Sequence, residues 1–279
     1  MVKYYASEKQ VSWKMIRNML ELFLGDGLFM KDLIGILDVG LGGFNVFSTL
    51  AATFPKERFL YQNNLKYYPY SGRPEAEIKQ LVAADIDGIL QENPAVLIVV
   101  ADSIIEYDDE KLESINIPII RIDDVIIDYV NQNYEQKNMV LLARKDIIDA
   151  NIYQKRFIYN HLYNIPSNDL ERIIESKMTK TAQSFAAVFD AFRGVIKKDI
   201  DIIITGSPYL ANLRTEIREF INFQMITDIG MIIANKLNEF LAEGKEKRRG
   251  ERIVKTNVSA KVFREKAYWA DLKYKIREY

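Results

Sequence analysis

No cysteine occurs among the 279 residues, and His161 is the one histidine. The first absence rules out disulfides, thiolate metal sites and any acid, base or nucleophile built on sulfur. The second leaves neither a histidine metal cluster nor a histidine-dependent triad, so His161 is expected to be a helix-surface or packing residue, and no metal is expected. Neither sign of charge dominates. With 38 Lys and Arg against 39 Asp and Glu there is no overall drive toward nucleic acid or anionic lipid, and neither is expected as a partner. Nowhere does the chain approach the roughly 18 uninterrupted apolar residues of a membrane span. Met1 to Gln10 carries Lys3, Glu8 and Lys9 without the apolar core of a secretory signal, so a cytoplasmic location is expected.

What is present is a core. Hydrophobic residues make up 48% of the chain, and short Ile- and Val-rich runs alternate with longer stretches of helical period, the pattern of parallel strands joined by helices. Strands are predicted at 33–37, 58–61, 96–100, 117–120, 139–142, 202–204 and 224–226. Helices are predicted at 44–53, 74–91, 108–112, 125–133, 147–160, 181–196, 210–220 and 231–241. The length suits two lobes sharing a cleft. Two segments fall outside this rhythm. Ser7 to Leu24 has one apolar helical face, and the tail from Gly244 opens with Lys245, Lys247, Arg248, Arg249 and Arg252, read as a solvated linker before a helix over 262–276 that packs back on the body.

Four loops carry candidate chemistry. Asp38-Val39-Gly40-Leu41-Gly42-Gly43 follows a strand and opens a helix. It fails as a dinucleotide fingerprint, because Asn45 stands at the third glycine and the next strand ends in Gln62 and Asn63. It is either a tight turn or a ligand loop. Tyr68-Pro69-Tyr70-Ser71-Gly72-Arg73 can bind a carboxylate through backbone N–H groups or be a plain turn. Val99-Val100-Ala101-Asp102-Ser103 empties a buried strand into a carboxylate, where parallel sheets place their chemistry, although a helix N-cap would also explain Asp102. Ile204-Thr205-Gly206-Ser207-Pro208-Tyr209 repeats that arrangement in the second half with a hydroxyl.

In order and spacing these loops resemble the glutamate racemase family. Asp38 to Gly43 is similar to its Asp-Ser-Gly-x-Gly-Gly opening, Pro69 to Gly72 to its Pro-Tyr-Gly-Ser loop, Ala101 to Ser103 to its first Ala-Cys-Asn-Thr box, and Gly206 to Tyr209 to its second Gly-Cys-Thr-His box. The resemblance runs from about Ile34 to the tail. It implies two pseudo-symmetric lobes, each a mainly parallel sheet flanked by helices, with the cleft between them. The boundaries it implies are 1–33 as a helical extension, 34–127 with 231–279 as one lobe, and 128–230 as the other. It further implies no cofactor, a homo-oligomer, commonly a dimer, and a small carboxylate or amino-acid ligand held by Asp38, Pro69, Tyr70, Ser71, Gly72, Ser103 and Gly206.

Where the family places its two catalytic cysteines this chain has Asp102 and Ser207, and Tyr209 replaces the histidine after the second. Paired thiols work on opposite faces of the amino acid, one removing the α-proton and the other returning one. A carboxylate near pKa 3.9 is about four to five units less basic than a thiolate near 8.5, and an unactivated alcohol is worse. Val39, Ser103, Ile104 and Pro208 also replace family hydrogen-bonding residues. The expectation is a racemase homologue that has lost the activity and keeps a binding, regulatory or structural role, with Ser7 to Leu24 as a candidate partner contact. The alternative is an active isomerase with Asp102 as base and Ser207 or Tyr209 as proton donor.

Overall fold

Leu33–Leu37 is buried at all five positions, which requires a sheet covered on both faces. The structure, a computed structural model, describes residues 33–70, 72–107, 109–221, 224–226, 228–241 and 250–279, apart from the side chains of 102, 103, 109 and 224–226. In chain order the first elements are β1 (Leu33–Leu37), α1 (Gly43–Thr53), β2 (Arg58–Gln62), α2 (Glu75–Leu90), β3 (Val96–Val99), α3 (Asp102–Tyr107), α4 (Asp109–Glu113), β4 (Ile119–Arg121) and α5 (Ile122–Tyr134). There follow β5 (Lys137–Ala143), α6 (Lys145–Ala150), β6 (Tyr159–Pro166), α7 (Asn168–Glu175), α8 (Ala182–Phe192), β7 (Ile202–Thr205), a 3-10 turn at Pro208–Leu213, α9 (Arg214–Phe220) and β8 (Gln224–Ile226). The last are α10 (Ile229–Asn238), β9 (Arg252–Thr256), α11 (Ala260–Lys266) and β10 (Lys275–Glu278).

The strands form two sheets, β10-β9-β2-β1-β3-β4 and β6-β5-β7-β8. All neighbouring strands are parallel. Within the first sheet β1 to β4 run in the order second, first, third, fourth, and the second sheet repeats that order with β5 to β8. This repetition is the pseudo-symmetry of the two lobes. In parallel sheets of this kind the loops beyond the carboxyl ends of the strands form the binding crevice. The loops after β1, β2, β3, β5 and β7 all reach one cleft, together with α7.

Several elements differ from the sequence reading, each for a local reason. The helix predicted over 147–160 stops early. Lys145–Ala150 is helical, Asn151 ends it in a left-handed conformation at φ 57°, and β6 follows. His161 therefore lies on a strand, where its Nδ1 stands 3.2 Å from Asn138 Oδ1 near the surface. β6 is an edge strand with mostly exposed positions, so it lacks the apolar run that marked the central strands. Over 102–107 and 168–175 the chain is helical where no helix was predicted.

The tail helix is shorter than predicted, Ala260–Lys266, and is followed by β10. Arg252 is no part of a solvated linker. It opens β9, is buried, and donates from Nη2 to Ala51 O at 2.7 Å. Phe263 and Tyr274 pack against Phe44 of α1 with ring centroids 5.5 and 5.4 Å away, so the tail belongs to the core of the first lobe. Ser7 to Leu24, Ser71 and 242–249 lie outside the described residues.

Candidate functional site

Asp38 sits at the carboxyl end of β1, and the turn after it wraps around its side chain. Oδ1 accepts from Val39 N–H at 2.7 Å and Gly40 N–H at 3.1 Å, while Oδ2 accepts from Gly43 N–H at 2.8 Å and the Tyr61 hydroxyl at 2.7 Å. Each oxygen thus has two donors, which is the capacity of a carboxylate in such a setting. A Cβ at Gly43 would collide with Val100 and Asp38, so glycine is what permits the turn to close. Burial, then the neighbouring Asp38, hold the Tyr61 phenol well above its usual pKa, so it stays a donor. The carboxylate that the sequence offered to a ligand is spent on its own loop.

The loop after β2 brings Tyr68 and Tyr70 to the cleft, whereas Pro69 is exposed and Gly72, at φ 85°, is a surface turn residue. The Tyr70 hydroxyl points beneath the loop to Asp85, which also accepts from Asn64 Nδ2 at 2.8 Å. Burial foremost pushes the Asp85 carboxyl up to about 6, although both of those bonds pull the other way. Arg73 turns to its own helix, donating to Glu77 Oε1 at 2.5 Å and to Tyr67 O at 3.1 Å.

The two boxes face each other across the lobes. Val100 and Ala101 line one wall, and Asp102 and Ser103 are the first two residues of α3 directly beyond them. Ser207, Pro208 and Tyr209 line the other. Gly206 is buried at the end of β7, where a Cβ would lie 2.8 Å from Ala143 Cβ. Among the described residues the one hydrogen bond of Ser207 Oγ is from Tyr209 N–H at 3.3 Å, a cap on the 3-10 turn and not the contact of an activating base. Tyr209 packs on Trp269 at 5.3 Å between centroids, Trp269 Nε1 donates to Asn45 Oδ1 at 2.9 Å, and Asn45 Nδ2 returns to Pro208 O at 3.1 Å. This chain of contacts ties the second box to α1 and the tail. Burial first, then Glu175, Tyr268, Glu171 and Asp38, raise the Tyr209 pKa, so its proton is held more tightly than a free phenol's.

Three further charged residues line the cleft that sequence reasoning did not single out: Arg144, Asp146 and Glu171. Arg144 directly follows β5, the same place relative to its strand that drew attention to Asp102, and that rule applied to every strand end would have found it. Glu171 lies on α7, which had no signal of its own. The three surround a cavity of about 70 Å³ together with the glycine turn, Tyr68 and the second box. Among the described residues no group of three or more His, Asp and Glu is arranged to hold a metal ion.

No family model matches the chain. It is 24% identical over 205 residues to the glutamate racemase of Exiguobacterium sibiricum, covering 71% of this chain and 76% of that one. The crystal structure of a glutamate racemase from Bacillus anthracis superposes with a TM-score of 0.77 at 21% identity, covering 89% of this chain and 97% of that one. The glutamate racemase of Francisella tularensis in complex with D-glutamate superposes with a TM-score of 0.75 at 16% identity over the same shares. Two lobes of repeated strand order around one cleft give this chain the fold of the glutamate racemases. Its sequence is similar to theirs over about two thirds of its length or more.

Proposed function

We propose that this protein binds a small carboxylate or amino acid in the cleft for a regulatory or structural purpose and does not interconvert the enantiomers of glutamate. One observation carries the reading. The two walls that would have to present thiols carry Asp102 at the start of α3 and Ser207, whose oxygen caps its own turn. A carboxylate is too weak a base for an unactivated carbon acid, and an alcohol without a partner base neither gives nor takes a proton readily. Tyr209, in the place of the family histidine, holds its proton more firmly than a free phenol does, burial being the first cause. That the Francisella tularensis relative holds D-glutamate supports a small carboxylate as the ligand class.

Proton NMR of L- and D-glutamate incubated with the protein in heavy water tests this directly. The expected result is no deuterium at the α-carbon of either enantiomer. Deuterium that appears with the wild type and is lost in Asp102→Asn or Ser207→Ala would establish the competing reading, an isomerase with Asp102 as base and Ser207 or Tyr209 as donor. Glu171 is the observation that favours that competitor, because it places in the cleft a carboxyl whose pKa burial raises to about 7. We further infer a cytoplasmic location and, from the family resemblance, a homo-oligomer, which fractionation and light scattering would check.

A further inference from the structure

Arg144 is the one cation among the described residues lining the cleft, and it faces carboxylates of its own chain. Nε and Nη2 donate to the two oxygens of Asp146 at 3.2 and 3.4 Å, and Nη1 donates to Glu171 Oε2 at 3.4 Å. Charge-assisted bonds of this type ordinarily close to about 2.7–2.9 Å, so the link to Glu171 is slack. The Arg144 and Glu171 side chains are 20% and 5% exposed, so what exposure the pair has is on the Arg144 side. Asp146 lies in the first turn of α6, which Arg144 directly precedes, whereas Glu171 comes from α7 and holds a second bond of its own, from Ser167 Oγ at 3.1 Å.

We propose that Arg144 anchors an anionic group of the ligand, most simply a carboxylate, which takes the place that Glu171 holds on the guanidinium. Glu171 is then an internal stand-in for the ligand. This inference rests on the reading that the cleft binds a small carboxylate, and it adds the residue and the charge that select it.

Proton chemistry makes the exchange feasible. Burial foremost raises the Glu171 carboxyl to about 7, with Arg144 and Ser167 pulling down and Glu175 and Asp146 pushing up. Tyr68 and Tyr209 face it from the first lobe and the second box, and both are held protonated, burial being the first cause. On Arg144 burial works against the charge, but Glu171 and Asp146 outweigh it and the guanidinium stays cationic. A displaced Glu171 therefore takes up a proton near neutrality and does not remain as a buried charge beside an arriving anion. Binding of one anion is coupled to uptake of up to one proton, so affinity falls as pH rises past the Glu171 pKa.

Calorimetric titration of the whole protein with succinate, at pH 6.5 and 8.5 and in two buffers of different ionisation enthalpy, tests this. Wild type is expected to bind at least tenfold more tightly at pH 6.5, with proton uptake. Glu171→Gln should bind at least tenfold more tightly than wild type at pH 8.5 and lose the pH dependence. Arg144→Gln should lose at least tenfold at pH 6.5, and Arg144→Lys should recover part of it, with thermal melts confirming that each variant is folded. Succinate binding unchanged in Arg144→Gln, a pH-independent wild type, or no binding by wild type and Glu171→Gln would each overturn the proposal, and a loss of melting temperature alone in Arg144→Gln would reduce the pair to a brace between α6 and α7. Succinate has no stereocentre, so this result is independent of deuterium exchange on glutamate, and either reading can fail while the other stands.

Discussion

Asp38 and Glu171 look into the same cleft from opposite lobes, one at the tip of β1 and the other on α7. Asp38 is held by four donors from its own turn and Tyr61, whereas Glu171 has Ser167 Oγ and a long contact from Arg144. Both are about 95% buried, so burial alone does not separate them. The number and quality of donors does. A carboxylate with every lone pair engaged is a structural clamp, while one short of donors in the same surroundings is a group that can change its charge or its partner.

Removing the clamp is the strongest way to break this comparison. Asp38→Ala strands three backbone N–H groups in a buried turn and leaves the Tyr61 hydroxyl only Gly40 O as acceptor, and should cost about 3 kcal/mol or more in urea denaturation. A loss below about 1 kcal/mol would mean that the turn does not depend on the carboxylate.

The second test sharpens the comparison through pH. The Glu171 pKa is raised in the folded protein from 4.5 to about 7, so its stabilising proton is fully present below the unfolded value and lost as pH rises toward 7. Wild type should therefore lose stability between about pH 4.5 and 7, and Asp85, raised to about 6, adds to the loss in the lower part of that window. Glu171→Gln should flatten the profile by on the order of 2 kcal/mol, as read from denaturation midpoints at pH 5 and 8. An equally steep variant would assign the slope elsewhere.

The smallest effect is expected in the second box. Ser207→Ala removes the cap on Tyr209 N–H and should cost about 0.5–1 kcal/mol by thermal melting, with the hydrogen exchange of glutamate unaltered.

The parts of the fold legible in the sequence were those buried on both faces. β1, β3 and β7 are dominated by Ile, Leu and Val, with Gly35 and Thr205 the exceptions; all their positions are buried, and their ends were read to within a residue. β6 and β10 are edge strands of mostly exposed, polar residues, Tyr159–Pro166 and Lys275–Glu278, whose pairing is set by the neighbouring strand and not by their own pattern. β9 was hidden because it begins at the end of a basic run, and only the packing of Arg252 against Ala51 O shows why a charge is tolerated there. In the site, the glycine turn and both boxes were legible because turn chemistry is local. The saturation of Asp38 was not, since it depends on Tyr61 one strand away. The pairing of Arg144 with Glu171 spans 27 residues and a misread helix, and nothing in the intervening chain announces it.

Tyr209, which lines the cleft, stands one ring away from Trp269, whose indole N–H is fixed on Asn45. Excitation absorbed by that phenol will pass to the indole, and any molecule entering beside Tyr209 alters the surroundings of the pair. The chain has one other tryptophan, Trp13, so a Trp13→Phe variant would leave a single emitter beside the cleft. The protein thus carries its own optical gauge of occupancy, and unlabelled compounds can be screened by fluorescence without a chromophore of their own.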